Sequence, residues 1–260
     1  MTDSLIHPTA VIHKCAVLGQ GVRVGPWSII GPQVTIGDDT WIDSHVVIEG
    51  RTTIGRANKI WRFSSLGTSP QDLKYRGEDA ALIIGDSNLI REYVNISIGT
   101  EGGGMLTKIG SHSLFMVNVH VGHDCIIGDH CVFANGVSLA GHVEIGDHAV
   151  VGGHVAIHQF CKIGSYSMTA GGSIIVQDVA PFILVQGNHA KPHGLNLTGL
   201  RRQGFDAKRL ADIKEMYRSV YRSNLPLEQA VAQIKETIQD SPDRSLWLSA
   251  AEGSKRGLAR

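Results

Sequence analysis

No apolar run in the sequence comes near the roughly 18 residues that a membrane-spanning helix needs. The start, MTDSLIHPTAVIHK, lacks the long apolar core of a signal peptide, so a cytoplasmic location is the expectation. Net charge is missing too: 24 Lys and Arg balance 24 Asp and Glu, and no overall field draws the chain to nucleic acid or into a membrane. Cysteine is scarce. Its four residues, Cys15, Cys125, Cys131 and Cys161, form no CxxC pair, which argues against a disulfide framework and for reduced thiols.

What is present is a period. An aliphatic residue falls on every sixth position from Ile6 to Leu66, resumes in phase at Ile84, Ile90 and Ile96, and runs again, shifted by one, from Ile109 to Ile163. With Thr169 breaking the series and Ile175 restoring it, 25 of 26 slots are apolar, in a chain that is 42% hydrophobic. The next slot is often Gly, as at Gly19, Gly25, Gly31, Gly128 and Gly146, and three slots further on stands a small or β-branched residue such as Ala16, Val22, Val34 or Val155. Six is neither a helical nor a plain strand period. One short flat side and one turn per hexad make a triangular coil of 18 residues, and coils stack at strand spacing of about 4.8 Å. The pattern predicts a parallel β-helix, with Cys125, Cys131 and Cys161 filling the inward small-residue slot.

Two stretches interrupt it. Residues 67–81 (GTSPQDLKYRGEDAA) are polar where a coil needs apolar slots and must bulge as a loop. Residues 100–108, with Gly102, Gly103 and Gly104, shift the phase. The repeat spans residues 1–181. In the extension, 182–260, no period shows before about residue 206, after which helical spacing takes over. Ser241-Pro242 reads as the start of a last helix, and such a tail would cap the open end of the solenoid.

Histidine is unevenly spread, with most of the 13 between His112 and His158. Residues 18 apart stack, so His112, His130, His148 and Tyr166 form one column, read as a turn edge. A second column holds His123, Gly141 and Gln159, beside Asp124, His142 and Phe160, with His158 adjoining and His120 nearby. His123 has the densest polar company, and Asp124 can orient its ring. This cluster suits a general base. It also leaves open a three-histidine zinc site like that of the γ-class carbonic anhydrases, for which no clear third imidazole converges, and a non-catalytic binding scaffold is the third class considered.

Six ordered motifs, SPQDLKY (69–75), NVHVGHDC (118–125), LAGHV (139–143), AIHQFC (156–161), QGNHA (186–190) and GLRRQGF (199–205), make the chain resemble the UDP-N-acetylglucosamine O-acyltransferase family of lipid A biosynthesis. The resemblance implies a left-handed parallel β-helix of hexapeptide repeats with a C-terminal α-helical domain, working as a homotrimer without cofactor or metal. It implies transfer of an (R)-3-hydroxyacyl chain from acyl carrier protein to the sugar 3-hydroxyl of UDP-N-acetylglucosamine, with no acyl-enzyme. His123 matches the base, Asp124 its companion and the Gly141 N–H the oxyanion donor. Asp72, Lys74, His120, His142, His158, Gln159, Asn196 and Arg202 match substrate contacts, and Gly171 the position that limits acyl length, where glycine favours a longer chain. Acyl carrier protein is acidic, and Arg201, Arg202, Lys208, Arg209, Lys214, Arg218 and Arg222 either receive it or form a solvated helix face. The chain departs from the family at Ser97 and Ile98, where His-Arg is usual, and at Thr198 and Gln203. Loss of that His makes a 3-amino sugar acceptor an alternative.

Overall fold

Each aliphatic slot becomes the inward end of a strand of two to four residues, and each glycine-bearing stretch a corner. The computed structural model describes residues 5–260. Its strands form three flat faces of nine, eight and ten strands, which begin at Val11–Ile12, Val17–Leu18 and Arg23–Val24 respectively. Every pairing within the coil is parallel and in hexad register, such as Val11 with Ile29 and Ile127 with Ile145. The aliphatic slots are buried from Val24 to Ile163, and Phe115 stacks on Phe133 inside the coil with centroids 4.8 Å apart. Thr169, the exception in the series, is equally buried. Cys125, Cys131 and Cys161 lie inside as core.

The corners explain which residues stack outside. Corners turn through a left-handed residue, with φ of 58° at Asp124 and 61° at His142 between the first and second faces. Between the second and third faces the same position holds His112, His130, His148 and Tyr166. Their rings form the expected column, with neighbouring centroids 4.9, 4.8 and 4.6 Å apart.

Both interruptions leave from the corner that carries His123. Val47 pairs with Ser65, Ser65 with Asn95 and Asn95 with His120, steps of 18, 30 and 25 residues. The first loop therefore adds twelve residues at one corner and bulges from the coil, as its polar sequence predicts. The second adds seven at the same corner one coil on, and it is shorter than 100–108, since strand Leu106–Ile109 has already begun.

The chain beyond Pro181 also differs from expectation. Ile183–Gly187 continues the third face in parallel, and Ala190–Leu195 folds back against it antiparallel. Helices then follow: α1 (Leu197–Arg202), α2 (Ala207–Tyr221), α3 (Leu227–Thr237) and α4 (Pro242–Glu252). Helix α1 thus precedes the expected start near 206. Ser241 caps α4 by accepting from Arg244 N–H at 3.2 Å, with Pro242 in the first turn. Fully buried Trp247 lies over Phe182, so the helices close the end of the coil.

Candidate active site

At the first-to-second corner, successive coils set Gly122–Asp124, Ala140–His142 and Gln159–Phe160 one above another, and the first loop folds across them. Between lies a cleft of about 720 Å³ whose walls include Asp72, Lys74, Ser97, His120, His123, Gly141, His142, Gln159 and Phe160. Six of the sequence-predicted side chains and Gly141 thus meet in one place. The rings hold each other: His123 and His142 meet edge to face at 5.0 Å, and His142 stacks on Phe160 at 4.4 Å.

His123 is oriented by Asp124. Its Nδ1 lies 2.7 Å from Asp124 Oδ2. The Asp124 side chain is fully buried and receives two donors from Thr100: the backbone N–H to Oδ1 at 2.8 Å and the hydroxyl to Oδ2 at 2.6 Å. Asp124 N–H donates in turn to Thr107 Oγ1 at 2.8 Å. A carboxylate so served is acceptor-only, so the His123 Nδ1 carries the proton and Nε2 is left as a base. Nε2 looks toward Asp72, whose Oδ2 is 4.0 Å away.

Beneath the His123 ring runs the Gly141 backbone, so close that a Cβ there would stand 2.5 Å from ring Cε1. Gly141 is buried, and its N–H meets no acceptor among the described residues. A buried free N–H beside a base is a donor waiting for an oxygen. His120 Nδ1 is 2.8 Å from Asn95 Oδ1, and Asn95 Nδ2 donates to Thr68 Oγ1 at 3.1 Å. Burial lowers the pKa of His120, and the neighbouring His123 lowers it further. Burial also lowers that of His142, against the pull of Asp124. Both rings are therefore neutral polar contacts near pH 7.

Among the described residues, His123, Asp124 and His142 bring donor atoms within 4.8 Å of one another. The 2.7 Å His123–Asp124 contact is a hydrogen bond, shorter than the roughly 3.4 Å edge of a tetrahedral zinc site. The third imidazole of a carbonic-anhydrase-like set, His120, turns to Asn95 instead. This arrangement favours proton transfer.

Four expected residues lie elsewhere. His158 is exposed and does not line the cleft; its Nδ1 sits 3.1 Å from Gln159 O. Asn196 is buried as the cap of α1, accepting from Gly199 N–H and donating to Tyr166 O at 3.0 Å, which puts it by the second-to-third corner. Arg202 is exposed on that helix. Gly171 is exposed at the third-to-first corner, after Met168–Thr169. One chain does not bring these to His123. Of the departures, Ser97 is buried and lines the cleft, whereas Gln203 ends α1. Sequence reasoning missed Thr100, Thr107 and Asn95. The signal lay in the coil count, which returns the second interruption to the His123 corner.

The C-terminal residues 178–259 match the family model for UDP N-acetylglucosamine O-acyltransferase domain 2, and residues 106–141 match that for the bacterial transferase hexapeptide of six repeats. Among solved structures, LpxA from Acinetobacter baumannii is 49% identical, over 99% of this chain and 100% of that one, with a TM-score of 0.96. The UDP-N-acetylglucosamine O-acyltransferase of Moraxella catarrhalis is 45% identical over the same shares, also at 0.96. The UDP-N-acetylglucosamine acyltransferase of Francisella novicida is 36% identical, over 98% of this chain and 94% of that one, at 0.95. The fold is the left-handed parallel β-helix of hexapeptide repeats with a C-terminal α-helical domain.

Proposed function

The chain belongs to the UDP-N-acetylglucosamine O-acyltransferase family, and we propose that it moves an (R)-3-hydroxyacyl chain from acyl carrier protein to the 3-hydroxyl of UDP-N-acetylglucosamine. As a member it is an acyltransferase of lipid A biosynthesis. The observation that carries the mechanism is the His123 ring, held at Nδ1 by Asp124 with Nε2 open to the cleft.

In this reading Nε2 takes the proton of the sugar hydroxyl as its oxygen attacks the thioester carbonyl carbon. The carbonyl oxygen becomes an oxyanion and accepts from Gly141 N–H. Collapse re-forms the carbonyl and breaks the carbon–sulfur bond, and the leaving thiolate takes the proton back from His123. A placed base is worth about 10²–10⁴ in rate. An acyl-cysteine has no support: burial pushes the thiols of Cys125 and Cys131 up to about 12 and that of Cys161 up to about 11.

Asp72, Lys74, His120, His142 and Gln159 would hold the sugar and its diphosphate across the cleft. Asn196, Arg202 and Gly171, on other corners, would complete the site from neighbouring copies, as a cyclic homotrimer of prisms allows by setting one corner against another. His158, exposed at the same corner, would then act at the edge of such a joint site. Exposed Arg201, Lys208, Lys214, Arg218 and Arg222 would receive the acidic carrier protein. Arg209 would contribute less, since its guanidinium pairs with Asp243 at 2.8 Å and covers the Phe205 ring at 3.6 Å. Both substrates are cytoplasmic metabolites in this reading, and the enzyme would work there.

Mass spectrometry of products tests the proposal. The purified protein, without added metal, is offered UDP-N-acetylglucosamine, and separately its 3-amino analogue, with 3-hydroxyacyl carrier proteins of graded length. A 3-O-acylated nucleotide is expected. Product from the amino analogue alone would replace the hydroxyl acceptor and make Ser97 part of the acceptor choice. No product from either would overturn the assignment.

A further inference from the structure

The second loop looks like a mere interruption of the repeat, yet its position is specific. Its short turn, Glu101–Gly103, begins after Thr100 and ends at Gly104 with φ of 91°. This folds the loop back until Thr100 N–H and Oγ1–H both point at the Asp124 carboxylate. Two glycines make the approach feasible. A Cβ on Gly103 would overlap the Asp124 carboxyl, and one on Gly99 would stand 2.8 Å from Oδ1. Neither position tolerates a side chain while the carboxylate stays where it is. Thr100 is itself 5% exposed, so water does not compete for these bonds.

The consequence follows from lone pairs. Asp124 Oδ1 is occupied by a backbone donor, and Oδ2 is shared between the Thr100 hydroxyl and His123 Nδ1–H. A carboxylate held at both oxygens cannot rotate to offer another geometry, and its one remaining direction fixes the ring. We infer that Thr100 is a positioning residue of the acyl transfer: it and the glycine turn behind it lock the Asp124 carboxylate, and through it the plane and tautomer of His123. The turn also seals the carboxylate from solvent, which keeps the Asp124–His123 hydrogen bond in a low-dielectric setting. This inference rests on the acyltransferase reading, in which His123 is the base.

The test compares Thr100→Val and Thr100→Ser with the unaltered enzyme in steady-state transfer from 3-hydroxyacyl carrier protein to UDP-N-acetylglucosamine. Valine keeps the shape and the backbone donor but loses the hydroxyl. The Val variant should lose about 10- to 100-fold in kcat, the range for a hydrogen bond to a charged group, with KM for the nucleotide within about twofold. Its pH profile should change as well. With one donor removed, Oδ2 attracts the Nδ1 proton more strongly, and the acid limb of kcat/KM moves to higher pH. The other charged or titratable groups facing His123, namely Asp72, Lys74, His120 and His142, are the same in all variants. Serine, which restores the hydroxyl, should return kcat to within about threefold and the acid limb to its place. Gly103→Ala, which drives a methyl into the carboxyl, should lose at least as much kcat as the Val variant at unchanged KM.

A Val variant with unaltered kcat and acid limb overturns the inference. So does a loss of kcat with an unmoved limb, or one that serine leaves unrepaired, because either marks a purely structural residue. Melting temperatures of all variants identify any that fail to fold, and for those the Ser and Ala results decide. Failure of the unaltered enzyme to make product is a different result, which removes the functional reading itself.

Discussion

Asp72 Oδ2 lies 4.0 Å from His123 Nε2, and the two reach that distance from different coils. The carboxylate rides on the first loop, with Oδ1 accepting from Lys74 N–H at 2.9 Å. It faces the atom proposed to remove the proton and leaves room for a hydroxyl between them. Asp72→Asn should raise KM for the sugar nucleotide about 3- to 10-fold, as loss of one substrate hydrogen bond does, and change kcat less. Steady-state kinetics check this, and an equal fall in kcat at constant KM would move Asp72 from binding to the chemical step.

His123→Ala should lower kcat by about 10²–10⁴, the usual contribution of a general base, and leave the fold intact. The ring projects outward from a corner and no core contact depends on it. Circular dichroism and melting temperature check the fold, and product formation checks the rate. Transfer at the unaltered rate would remove His123 from the mechanism.

The outer histidine column predicts how stability depends on pH. Burial lowers the pKa of His148, and the nearby His130 lowers it further, while Asp147 and Asp129 pull it up. A folded-state value below the unfolded one, near 6.5, means that stability is present above about pH 6.5 and falls as pH drops through the folded value. Melting temperature should therefore decrease on the acid side of about pH 6.5. His148→Gln, which cannot titrate, should flatten part of that decrease. A variant with the same slope as the parent would refute this.

Gly171 is exposed, and a Cβ there would sit 3.3 Å from Gly153 O, a tight contact that a shift of a few tenths of an ångström would relieve. Gly171→Met should fold normally and shift product toward shorter acyl chains, read by mass spectrometry of competing carrier-protein substrates. An unchanged length distribution would take this position out of chain selection.

Thiol chemistry should discriminate sharply. Cys15 is exposed, whereas Cys125, Cys131 and Cys161 are buried with raised pKa values. Iodoacetamide at about pH 8 should alkylate Cys15 alone in the native enzyme, as peptide mapping would reveal, with little loss of activity.

Much of this was legible beforehand because it is local. The six-residue period alone places Ile127 over Ile145 and His142 beside Phe160, since strand spacing and side-chain alternation repeat identically from coil to coil. It also puts His123 over Gly141, the proposed base over the proposed oxyanion donor. Of the helix stripe that spacing marks at Leu210, Ile213, Tyr217, Val220 and Tyr221, the middle three are buried and the two ends half-buried.

The period says nothing of a loop's path. Asp72 reaches His123, and Thr100 reaches Asp124, only because loops of twelve and seven extra residues leave one corner in adjacent coils. Their course is set by hydrogen bonds to residues of other coils, such as Thr100 to Asp124 and Arg51 to the Asp79 carbonyl. The sequence by itself determined the coil, its core and the column of His123. The tertiary structure decided which groups close around that column, and placed Asn196 and Gly171 on other corners. Repetition encodes stacking, whereas the approach of one loop to another depends on contacts that no local pattern carries.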